Sequence, residues 1–79
     1  MVNIGDLIEF GGKLFYYYQS KRTEKIPINI FIRKIESKFN VKLSQEDKNE
    51  LIEEFCSQEN TRVIRDKYGR KFILVGSLY

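Results

Sequence analysis

Three amphipathic helices followed by a basic β-hairpin, an α+β chain that is mainly α, is the fold class this 79-residue sequence predicts. Three observations carry that reading. Apolar residues recur at spacings of three and four through three successive stretches, up to about residue 57. The pattern then switches to two short β-rich runs around a turn sequence. So short a chain holds a single domain, spanning 1–79, in which every strong apolar stripe is needed for the core.

The first helix is expected from about 3 to 20, with Asn3 as a cap and Ile4, Leu7, Ile8, Gly11, Leu14, Phe15 and Tyr18 on one face. Gly11 and Gly12 cost roughly 1 kcal/mol each in mid-helix, so either the helix bends there or another backbone comes very close, and close packing is the expected reason. Tyr16, Tyr17 and Tyr18 cannot all face one way; Tyr16 and Tyr17 fall toward the rim. A polar, basic connection over 20–25 ends at Ile26-Pro27, and because proline is tolerated in a first helical turn the second helix starts near Ile28 or Asn29. It runs to about Phe39, burying Ile28, Phe31, Ile32, Ile35 and Phe39, with Asn40 as a left-handed cap. Ser44-Gln45-Glu46-Asp47 resembles a capping box and opens a third helix ending near Ser57. The outer face of that helix is acidic: Glu46, Asp47, Glu50, Glu53 and Glu54 are opposed only by Lys48, a local net charge of about −4.

The last part of the chain, over 62–75, reads as a hairpin around Asp66-Lys67-Tyr68-Gly69, where aspartate suits the first turn position and glycine a positive φ. Five cations, Arg62, Arg65, Lys67, Arg70 and Lys71, stand against Asp66, a local net charge of about +4 in a chain whose total is +3. A hairpin this short is marginal in water and must lean on the helices. Val63 with Phe72 and Leu74, or their alternating neighbours, form its inner face; a period of two leaves the choice open, since Ile73 and Val75 are apolar too. Residues 76–79 are a short tail. This order is that of a winged helix, a three-helix helix-turn-helix core followed by a C-terminal β-hairpin wing. The rival arrangement is a bare helical bundle with an unsupported hairpin.

Composition narrows the chemistry. There is no histidine and only one cysteine, Cys56, which removes the commonest general acid and base, any intramolecular disulfide and any ordinary zinc site. Cys56 lies on an apolar face and reads as a small buried hydrophobe in a reducing, intracellular compartment. No apolar run is long enough for a bilayer span, and Asp6 and Glu9 stand where a secretory signal would be basic. Glu46 with Glu50, or Glu50 with Glu54, lie one turn apart, but no further ligand or phosphate loop joins them, so solvated charge is the better reading. The expectation is a non-enzymatic module with no cofactor, no small-molecule substrate and no membrane.

Asp6-Leu7, Leu14-Phe15, Gln19-Ser20-Lys21-Arg22, Ile32-Arg33-Lys34-Ile35, the acidic helix Glu50-Leu51-Ile52-Glu53-Glu54 and the strand Arg62-Val63-Ile64 together resemble the C-terminal winged-helix domain of the eukaryotic replication-licensing factor that recruits the MCM helicase. That resemblance implies a non-catalytic nuclear domain that docks onto a subunit of a replicative helicase. Read from the residues alone, the partner is duplex DNA. Arg62, Arg65, Lys67, Arg70 and Lys71 of the hairpin, with Arg33, Lys34 and Lys38 of the second helix, would neutralise phosphates. A wing arginine in the minor groove would sense narrow A/T-rich DNA. The acidic third helix argues against its own entry into DNA. It favours instead a protein-docking alternative, a homodimer included, in which Glu46, Glu50 and Glu53 meet opposite charge and Tyr16, Tyr17 and Tyr68 anchor the contact.

Overall fold

Helix α1 (Ile4–Ser20) begins where the Asn3 side chain accepts the Asp6 N–H at 3.0 Å, filling one of the donors a helix start leaves open. The computed structural model describes residues 3–76, so 77–79 of the tail read from the sequence lie outside the described residues. α1 buries Leu7, Ile8, Gly11 and Phe15. Gly11 has a packing reason: a Cβ there would stand 3.2 Å from Phe31 Cζ and 3.3 Å from Phe55 Cδ1, rings with no exposed surface and no room to yield. Gly12 has none, because a Cβ there would meet only Glu59 Oε2 at an ordinary 3.7 Å.

The connection expected over 20–25 is shorter than read, because Lys25–Pro27 is a strand, β1. It pairs antiparallel with β3 (Lys71–Leu74), which in turn pairs antiparallel with β2 (Val63–Arg65), giving a sheet of order β1-β3-β2. Three residues are too few to show a period of two, and the strand's partner lies far along the chain, so no local signal marks it. Proline fits there because β1 is an edge strand, where a missing N–H costs no ladder bond. Pro27 (φ −58°, ψ 129°) then passes directly into α2 (Ile28–Phe39).

α2 buries Phe31, Ile32 and Ile35 and stops at Asn40, whose φ of 52° is left-handed. The link to α3 (Gln45–Gln58) is pinned by Glu36, whose Oε2 accepts the Leu43 N–H at 2.7 Å. Ser44 Oγ accepts the Asp47 N–H at 3.1 Å, the capping contact its sequence announces. Leu51, Ile52 and Phe55 turn inward, and Phe55 meets Phe15 edge-on at 5.4 Å and Phe31 at 5.0 Å between ring centroids. Each such buried ring contributes about 1.5–3 kcal/mol through the area it removes from water.

The hairpin joins this core through its central strand. Partners Ile26 and Ile73 lie 1% and 0% exposed in the cluster with Leu51 and Phe55, and Val75 follows on the same face. The inner set is therefore Ile73 and Val75 rather than Phe72 and Leu74. Phe72 is buried on the opposite face, where Lys25 Nζ lies 4.4 Å from its ring centroid. Val63 pairs with Ile73 and shares its face, yet remains 37% exposed because β2 forms the sheet's other edge. The result is a small α+β architecture, mainly helical, of three helices and a three-stranded antiparallel sheet, a layout consistent with a winged helix.

Candidate nucleic-acid interface

Alternate residues of a strand share a face, so the face that buries Ile73 carries Lys71 outward along β3, and that of Val63 carries Arg65 along β2. Beyond the core this face overhangs the start of α3. Between them runs an open cleft of about 410 Å³, floored by Ile28, Ile32 and Ile52, with Gln45, Lys48 and Asn49 along its helical side and Arg65 and Lys71 along its hairpin side. Arg33 joins Lys48 in the adjoining concavity. Glu53 lines the main cleft and Glu36 the adjoining one, and the Glu36 carboxylate is already engaged by Leu43. The surface is basic because α2, α3 and the hairpin each contribute a cation to one place.

Three of the eight basic residues singled out in the sequence meet at these clefts. Arg33, Arg65 and Lys71 line the clefts, whereas Arg70 stands on the other face of the sheet, over the apolar outer groove formed by Pro27, Ile30 and Phe72. Arg62 lies at the far end of the hairpin beside Gln19 and Glu59. Lys38 sits at the other end of α2, its Nζ 5.8 Å from the Phe10 ring, and Lys34 is exposed on the outer side of that helix. Lys67 projects at the turn.

The turn itself is built around Asp66. Its Oδ1 accepts the N–H groups of Tyr68 and Arg70, both at 2.9 Å, and its Oδ2 accepts Arg70 Nε at 2.6 Å. The Asp66 N–H donates to Arg70 O, the Gly69 N–H to Asp66 O, and Gly69 takes a φ of 81°, the three-residue loop with a left-handed glycine that suits a twisted hairpin. Enclosure in the turn raises the affinity of the Asp66 carboxyl for its proton. The backbone N–H and guanidinium of Arg70 and the N–H of Tyr68 outweigh that, and hold it below the ordinary carboxylate range. Arg70 is thus partly committed to Asp66. Tyr68, 72% exposed, is presented at the tip with Lys67 Nζ and the Arg70 guanidinium 5.2 and 5.4 Å from its ring centroid.

The remaining singled-out residues divide by face. Tyr16 and Tyr17 are exposed on α1, with Lys21 Nζ 5.6 Å from the Tyr17 ring. Glu46, Glu50 and Glu54 are exposed on the side of α3 that does not line the cleft, whereas Glu53 does line it. Lys48 does not belong to the acidic face on which the sequence reading set it; at one residue per 100° it falls beside the buried row and is half-buried toward the hairpin. Sequence reasoning passed over Lys48, Gln45 and Asn49. The available signal was positional: 45, 48, 49 and 52 form one helical edge, and none of its members is acidic.

Cys56 is half-buried against the core, and burial raises its thiol above the usual value, which favours the inert thiol. Among the described residues, no group of His, Cys, Asp and Glu side chains is arranged to hold a metal ion, and no helix is long and apolar enough to cross a membrane. Comparison with known proteins finds no matching family model, no matching curated protein and no matching solved structure.

Proposed function

We propose that this chain is a non-catalytic winged-helix module that binds duplex DNA through the cleft between the start of α3 and the hairpin. The observation that carries the reading is the convergence of Arg33, Lys48, Arg65 and Lys71, from three elements, on adjoining open concavities. Affinity for a duplex comes chiefly from neutralised phosphates and the counterions they release, and four cations on one surface meet that need. Lys67 extends the basic surface to the hairpin tip. The carboxylates of α3 that lie off the cleft then orient the module, because phosphates repel that side. A DNA partner implies an intracellular setting, nuclear in a eukaryotic cell.

Fluorescence anisotropy with a labelled duplex at low and moderate salt tests this. The native chain is expected to lose affinity with a log–log slope of about −3 to −4, and an Arg65→Gln/Lys71→Gln variant to show a slope shallower by about 2. No binding at low salt would refute it.

A protein-docking reading has its own support. Glu46, Glu50 and Glu54 are exposed, and among the described residues the ion pair formed is Arg70 with Asp66, so none of the three is engaged. With Tyr16 and Tyr17 exposed on α1, that surface suits a basic partner, a second copy or the helicase that the resemblance implies. Self-association or helicase capture without any duplex binding would decide for it.

A further inference from the structure

The cations of the cleft explain attraction to phosphate and say nothing about sequence. Between them lie two neutral side chains whose chemistry is not that of phosphate binding. Gln45 and Asn49, one turn apart on α3, are exposed, line the cleft, and are bonded to each other, Gln45 Nε2 donating to Asn49 Oδ1 at 3.0 Å. That bond leaves the Asn49 amide NH₂ as a donor and the Gln45 carbonyl as an acceptor. Adenine presents the complementary couple in the major groove on one base, N7 as acceptor and N6 as donor, whereas guanine presents two acceptors and the donor of a G·C pair stands on cytosine.

Charge restricts how α3 can approach. A helix lying lengthwise in a groove is flanked by phosphates on both sides, and Glu46, Glu50 and Glu54 would face one of those rows. Only the edge bearing Gln45, Lys48 and Asn49 can enter, and there the amides share the cleft with three cations, Lys48, Arg65 and Lys71, against one carboxylate, Glu53. A major groove about 12 Å wide admits a helix in this way, and a minor groove about 6 Å wide does not. We propose that the Gln45–Asn49 amide pair reads adenine in the major groove, so that the module prefers A·T base pairs over a short stretch. This rests on the DNA-binding reading above.

The test compares three labelled duplexes, one of A·T pairs, one of G·C pairs, and the first with 7-deazaadenine, which lacks N7. The native chain is expected to bind A·T about tenfold tighter than G·C and to lose most of that preference on 7-deazaadenine. A Gln45→Ala/Asn49→Ala variant, with its helix content verified by circular dichroism, should bind both sequences alike while keeping the native salt slope. Equal native affinity for A·T and G·C overturns the inference alone, as does a preference that survives either the variant or 7-deazaadenine. Absence of salt-dependent binding to every duplex overturns the DNA-binding reading and this inference with it.

Discussion

Along the edge of α3 beside the hairpin stand two amides, Gln45 and Asn49, together with Lys48, whereas Glu46, Glu50 and Glu54 form a row that does not line the cleft. A single backbone presents both, and at about 100° per residue the two rows are neighbours: Glu46 is the i,i+3 partner of Asn49, with Cβ atoms about 5–6 Å apart. The helix as a whole carries a net charge of about −4 and looks hostile to nucleic acid, yet its cleft edge is neutral to basic until Glu53. The local arrangement of charge therefore matters more here than the sum.

The largest effect should separate cleft cations from distant ones. Neutralising Arg33, Lys48, Arg65 and Lys71 to glutamine is expected to weaken duplex binding by on the order of a hundredfold, read by anisotropy. The same change at Lys34, Lys38 and Arg62 should cost about threefold or less, and equal losses would erase the distinction. Next comes Glu53, the carboxylate that lines the cleft. Unit charges about 8 Å apart in water interact by about 0.5 kcal/mol, so Glu53→Gln should tighten binding about 2.4-fold. Converting Glu46, Glu50 and Glu54 together to glutamine should change affinity less than that, because their exposed carboxylates do not line the cleft and are screened by solvent. A larger gain from the triple change than from Glu53→Gln would reverse the assignment of the two edges.

The smallest effect concerns the turn that holds Arg65 and Lys71 in place. The lowered pKa of Asp66 means that the folded chain favours its carboxylate more than the unfolded chain does. That contribution to stability is present above the ordinary carboxylate pKa of about 4 and is lost as pH falls through the lower folded value. Urea melts of native protein and Asp66→Asn should converge toward acid pH. Melts that run parallel across that range would show that the turn does not depend on this charge.

Much of the fold is legible in the sequence where the determinants are local. Asn3, Ser44 and Asn40 cap helices because their short side chains or left-handed tolerance act within a few residues, and the spacing of Phe31, Ile32 and Ile35 declares its own face. β1 was not legible, since Lys25–Pro27 is defined by a partner strand nearly fifty residues away. The same missing strand explains the inner face of β3: with neighbours on both sides, Phe72 and Ile73 are both buried, and alternation alone cannot rank them. The glycine pair divides similarly, Gly11 answering to two rings from other helices and Gly12 to nothing that packs tightly. For the site, the basic hairpin is evident from composition. Its meeting with Arg33 and Lys48 depends on tertiary packing, and Lys48 was read with its acidic sequence neighbours rather than with its helical edge.

The most direct test follows backbone amide NMR chemical shifts while a short duplex is titrated into the native chain at low salt. Shifts are expected at Gln45, Lys48, Asn49, Arg65 and Lys71, with little change at Tyr16, Tyr17, Glu50 and Glu54. Perturbations concentrated on α1 and the acidic edge of α3, or none anywhere, would contradict a DNA-binding cleft beside the hairpin.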